Sequence, residues 1–215
     1  MTEPRKLSRS TFIAGGAAAA AAGLPFAQDA WAGGSAIPGA EAALELVFKV
    51  DHVGTRVTSF GYATGIAGIP SASLFSSAAE QSERTAHFTV LSLGVVVSRS
   101  VLEAVRVIGV EGTVQLFYRA SPGASFDDPT SFGEGTLVAA YNASLQSIVT
   151  VTAPRRGIEN LGGLLVQTRS TRFPYGKVGR RGLRLKLSAT GTGRLLDPKA
   201  PHAVLVLAGS AVTAS

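Results

Sequence analysis

The stretch GLRLKLSATGTG, Gly182 to Gly193, decides the fold. Leu183, Leu185, Leu187 and Ala189 fall on one side of an extended chain, and Arg184, Lys186, Ser188 and Thr190 on the other. A helix would scatter those leucines around its circumference, whereas a strand, whose side chains alternate, sorts them. One side is apolar and the other charged, so the segment is a strand with a buried face and a solvated one.

The same alternation recurs along the chain. LELVFKVDHV (Leu44 to Val53) sets Leu44, Leu46, Phe48 and Val50 against Glu45, Lys49 and Asp51. TAHFTVLSLGVVVS (Thr85 to Ser98), GTVQLFYRA (Gly112 to Ala120), GTLVAAYNA (Gly135 to Ala143), SIVTVTA (Ser147 to Ala153), GLLVQTRSTRF (Gly163 to Phe173) and HAVLVLAGSAV (His202 to Val212) read as further strands. SVLEAVRVIGV (Ser100 to Val110) fits a helical turn running into a strand. SPGASFDDPTSFGEG, APRRGIEN, PYGKVGRRG and DPKAP have turn and loop compositions, and the first is long enough to cover a barrel mouth. Eight or nine strands with almost no convincing helix predict an all-β protein, a single antiparallel β-barrel of about eight strands. Closure is favoured over an open sandwich because it removes the exposed edges that Val-rich strands would otherwise present.

The N-terminus reads as an address. Arg5, Lys6 and Arg9 precede a weakly apolar, alanine-rich run broken by Gly15, Gly16, Gly23 and Pro25, and Ala30-Trp31-Ala32 places small residues at the two positions a signal peptidase reads before a cut at Ala32. Ser8-Arg9-Ser10-Thr11-Phe12-Ile13 is similar to a twin-arginine export signal whose second arginine is replaced by Ser10. The expected organisation is therefore a signal peptide over 1–32, a linker or arm over 33–43 and a barrel domain over 44–215. The protein is expected to be secreted, periplasmic or held in the cell envelope, with no stable membrane anchor. The chain has no cysteine, so the exported fold must be held by its own core, without disulfides or a lipidated cysteine.

Hydrophobic content of 46% against 16% charged excludes wholesale disorder. Charge is unevenly placed. Between Gly33 and Pro154 six basic residues face ten acids, while from Pro154 onward eleven basic residues face only Glu159 and Asp197. Such a gradient suits an anionic partner such as an envelope polymer, with Arg169, Arg172, Arg180 and Arg184 as the candidate patch. Nucleic acid is not expected, because only Phe173 and Tyr175 interleave with the basic run.

Motifs for chemistry are sparse. His52, His87 and His202 lie in separate runs without ligand spacing, and no cysteine can complete a zinc site, so neither a metal nor a cofactor is expected. There is no G-x-S-x-G elbow and no phosphate-binding glycine loop leading into a helix. Asp127-Asp128 is better explained by a turn-initiating Asp-Pro than by calcium. Glu134 and Asn142 share one strand face and Tyr141 takes the other, which makes Glu134, Tyr141 and Asn142 the candidate ligand-binding set.

SFGEGTLVAAYNASLQSIVTVTAPRRGIENLGGLLVQT and GLRLKLSATGTG, with the glycine pair Gly162-Gly163 leading into a long strand, have the rhythm of a barrel meander. From Thr85 to Gly209 the order of elements resembles the allene oxide cyclase and dirigent group of eight-stranded barrels, including their secreted bacterial relatives. The resemblance implies an apolar central cavity that holds a small hydrophobic molecule in one shape, in a homodimer or homotrimer. Any enzyme activity would be isomerase- or cyclase-like, or dirigent-like coupling. No catalytic residue of either plant family can be placed here by a matching motif. The competing expectation is a non-catalytic envelope protein that docks on an anionic polymer through its basic C-terminal half.

Overall fold

The computed structural model describes residues 44–197 and 202–214. The export signal, its cut at Ala32 and the 33–43 arm lie outside the described residues. Eight antiparallel strands form a closed barrel in chain order: β1 (Leu44–Val53), β2 (Arg56–Ile66), β3 (Phe88–Leu102), β4 (Val105–Tyr118), β5 (Thr136–Ala153), β6 (Arg156–Ser170), β7 (Arg184–Asp197) and β8 (His202–Thr213). β1 pairs with β8 from Leu44↔Ala211 to Val53↔His202, so no edge is left open. Short 3-10 turns at Ser71–Ser73 and Pro129–Gly133 are the only helical pieces among the described residues.

The predicted strand at 44–53 forms with those bounds. Two differences from the sequence reading offset one another. β5 is a single strand where 135–143 and 147–153 read as two, and β2 went unread. Residues 100–110 form the end of β3, the two-residue turn Glu103-Ala104 and the start of β4, with no helical turn.

The two ends of the barrel are built differently. Connections 67–87, 119–135 and 171–183 all lie at one end, whereas the turns Gly54-Thr55, Glu103-Ala104 and Pro154-Arg155 lie at the other. Leu74, Phe75 and Ala86 from the first connection join the interior core, as do Phe173, Val178 and Leu183 from the third. The Gln167 amide donates to the carbonyls of Val178 at 2.8 Å and Arg169 at 2.9 Å, fastening the third connection across its end. Phe88, Leu116, Tyr141, Leu165, Leu185 and Leu207 fill the adjoining half of the interior. Among the described residues, apolar side chains and long connections therefore seal one end, and only tight turns border the other.

The 119–135 connection, though long enough to cover a barrel mouth, does not do so. Its Ala124 and Phe132 bury themselves against Phe60, which points outward from β2, and so they cover the outer wall instead. Asp128 caps the 3-10 turn by accepting from the Thr130 N–H, which is the local role an Asp-Pro pair predicts.

Candidate functional site

Alternation along the open half of each strand turns one set of side chains into the barrel. Val50 and His52 come from β1, Val57 and Ser59 from β2, Ile108 and Val110 from β4, Leu145, Ser147 and Val149 from β5, and Glu159 and Leu161 from β6. With Leu195, Ala203 and Leu205 they enclose a cavity of about 490 Å³. Small-molecule sites occupy roughly 300–1,000 Å³ and are mostly apolar with a few placed polar groups. This cavity has that composition.

Its polar groups are few. Glu159 is only 4% exposed. Burial raises its carboxyl above the ordinary value of 4.5, and the hydrogen bond from Ser147 opposes the rise only in part. Its Oε2 has no protein partner, although buried polar atoms almost always find one. On the opposite side His52 and Arg99 share one acceptor: the Gly54 carbonyl lies 3.0 Å from His52 Nε2 and 3.3 Å from Arg99 Nη2. Burial holds the imidazole below its usual 6.5, and the Arg99 charge pushes the same way, against the Gly54 bond and Asp51. The ring is therefore neutral at pH 7.

The rim is cationic. Arg99 and Arg106 come from the β3–β4 hairpin, Arg155 and Arg156 from the β5–β6 turn, and Arg194 from β7; all five border the cavity. Among the described residues, none of them is in a salt bridge with a carboxylate.

The chain was also compared with known proteins. It matches no family model, no curated protein and no solved structure.

The candidate residues read from sequence are not brought together at this cavity. Tyr141 points inward as expected, but it is fully buried in the filled half, where burial drives its phenol far up and leaves the hydroxyl without a partner. Asn142 faces out from the barrel wall. Glu134 precedes β5 and forms an ion pair with Arg119 at 3.0 Å. The basic set of the C-terminal half is divided: Arg169, Arg172, Arg180 and Arg184 cluster toward the sealed end, and Arg155, Arg156 and Arg194 ring the mouth. His202 faces away from the cavity and meets Asp51 at 2.7 Å.

Glu159, which sequence reasoning missed as a site residue, gives a stability prediction. Its folded value is raised, so between the ordinary and the raised value the folded state holds a proton that the unfolded chain releases. The resulting stability is complete below the ordinary carboxyl range and is lost as pH rises through the folded value. Glu159→Gln removes the ionisation, so its Tm should exceed the parent's at pH 8 by roughly 2–4 °C, for about 1 kcal/mol. The gap should close toward pH 4. A variant that is equally or less stable at both pH values would show that burial does not raise the carboxyl's folded value.

Proposed function

We propose that the protein is an exported barrel that holds one small, predominantly apolar molecule in the cavity at its open end. The observation that carries this reading is the half-filled interior. Eight strands enclose a space just wide enough either to be filled by side chains or to hold one small ligand. Here the sealed half is filled by Phe88, Leu116, Leu165 and their neighbours, and the open half retains about 490 Å³. Steering of the ligand's cyclisation or coupling, which the resemblance to allene oxide cyclases and dirigent proteins implies, is the finer form of this reading. Glu159 on the cavity wall is the acid suited to such chemistry, because burial favours its protonated form, which can donate to a ligand oxygen.

The test is binding of the neutral fluorescent probe N-phenylnaphthylamine, compared between the parent and Ser59→Phe. Ser59 borders the cavity, and a phenyl ring there takes up part of it and narrows the space left for the probe. The probe should bind the parent, and the variant should lose at least about tenfold in affinity, the equivalent of one displaced apolar ring. Equal binding by a folded variant would place the probe elsewhere and remove the support for a cavity ligand.

A further inference from the structure

We infer that the ligand is an amphiphile with a phosphate head, its apolar tail inside the barrel and its phosphate held at the arginine-ringed mouth. This rests on the cavity-ligand reading and names the class of molecule within it.

Two features of the mouth work against stability, and both concern arginine. Arg156 and Arg194 are direct cross-strand partners in the β6–β7 register, on the outer side of the rim in line with Asn160 and Thr190, and both border the cavity. Like charges placed opposite one another in a sheet repel, and no carboxylate among the described residues pairs with either. Arg155 occupies the two-residue β5–β6 turn with φ of 61°, a left-handed conformation that glycine or asparagine adopts at less cost. Arg99 and Arg106, the other two, turn their guanidinium groups to backbone carbonyls, Arg99 to Gly54 and Arg106 to Glu103. The acids at this end do not offset the set: Asp51 is engaged by His202, and Asp51, Glu103 and Asp197 are all absent from the cavity wall.

Five cations around one opening exceed what a single carboxylate needs. The planar guanidinium fork matches phosphate oxygens in pairs, and a phosphate monoester brings close to two charges at neutral pH. The walls below the rim are apolar, with Val50, Val57, Ile108, Val149, Leu161 and Leu205. Inorganic phosphate alone would leave those walls unused, and an uncharged apolar molecule would leave the arginines unpaired. A tail joined to a phosphate satisfies both. Glu159 lies on the cavity wall, and burial shifts its carboxyl toward the protonated form, which lessens its repulsion of an anionic ligand.

The experiment is displacement of N-phenylnaphthylamine by dodecyl phosphate, dodecanoate, dodecanol and inorganic phosphate, each below its micelle concentration, on the parent and on Arg156→Gln/Arg194→Gln. Dodecyl phosphate should bind the parent about tenfold or more tightly than dodecanol, and tighter than dodecanoate, while inorganic phosphate displaces nothing. The double variant should bind dodecyl phosphate no better than dodecanol, so that the ratio of the two affinities falls to about one whatever its affinity for the neutral probe. Its Tm should be equal to or above the parent's because the opposed charges are gone, an outcome that arginines with a merely structural role would not give. Two results overturn the inference and leave the cavity reading standing: probe binding with no preference for the phosphate over dodecanol, or a preference that the double variant retains. Dodecanoate as tight as dodecyl phosphate overturns the choice of phosphate. Vesicles containing phosphatidic acid separate the source: capture of the protein by vesicles, without competition from monomeric dodecyl phosphate, overturns the cavity as the place where the phosphate binds. Failure of the neutral probe itself to bind the parent overturns the underlying reading instead.

Discussion

Gly163→Ala should strongly destabilise the barrel, while Gly162→Ala, one residue earlier, should be tolerated. The two glycines sit side by side on β6 but face opposite ways. A methyl group at Gly163 would lie 2.3 Å from the Ser144 carbonyl oxygen and 2.8 Å from Leu145 Cα, both backbone atoms of β5. Nothing flexible can yield there. β5 and β6 would have to part at the centre of their ladder, with Ser144↔Leu164 and Leu145↔Gly163 among the pairs disturbed. At Gly162 the nearest atom to such a methyl is the Leu187 carbonyl oxygen at 3.8 Å, an ordinary contact. The expected loss for Gly163→Ala is about 4 kcal/mol or more, equivalent to a fall in Tm of at least ~10 °C. Gly162→Ala should be neutral or slightly stabilising, since alanine restricts the unfolded chain more than glycine does. Thermal unfolding of both variants followed by circular dichroism checks the pair. Similar melting of the two would mean that the strands are not drawn together at Gly163 as described.

Phe132→Ala should cost about 3–5 kcal/mol, the range for removing a fully buried phenyl ring. Phe132 is 0% exposed although it belongs to a connection, and its ring lies 5.5 Å from Phe60 and 5.1 Å from Phe126. Its carbonyl accepts a 2.9 Å hydrogen bond from the Thr89 hydroxyl, which ties residues 129–133 to the outer wall of β3. Truncation would leave a void between the connection and the wall and expose Phe60. Affinity of the cavity for N-phenylnaphthylamine should be unchanged, because this cluster lies on the outside of the barrel. A urea unfolding curve and a probe titration on the same preparation measure both. A loss under about 1 kcal/mol would show that the connection contributes little to holding the wall.

The fold was legible where one face of a strand meets the core and the other meets water. Leu44 to Val53 and the leucines of 183–187 satisfy that condition, and their strands form as read. β2 reverses it. Ser59, Gly61 and Ala63 turn into the barrel, and Phe60 turns out beneath the 119–135 connection, so the apolar side chain marks the wrong face. Hydrophobic alternation cannot show that an outer wall is covered by a distant part of the chain. The turn at Glu103-Ala104 was hidden because Glu103 takes φ of 51° without the glycine that usually marks such a turn. Glu159 was obscured by its neighbours: Pro154-Arg155-Arg156-Gly157 reads as loop, yet the loop is only two residues and β6 begins at Arg156. A strand reading carried back from Leu165 through Gly163 and Leu161 would have placed Glu159 on the apolar face. An acid in that position was the available signal.

Each strand of the barrel is bonded to its neighbours in sequence, and the first to the last, so the eight form a ring with no natural starting point. The chain enters β1 at Leu44, opposite Ala211 near the close of β8, and both positions lie at the sealed end. A cargo fused at either side of the domain would therefore hang from the plugged base, leaving the mouth clear. The same ring could be cut at any of the three short turns of the mouth and rejoined between β8 and β1 without changing a single strand neighbour. What the ligand meets is set by the circle of strands and by which end is stoppered, and the place where the polypeptide happens to begin has no part in it.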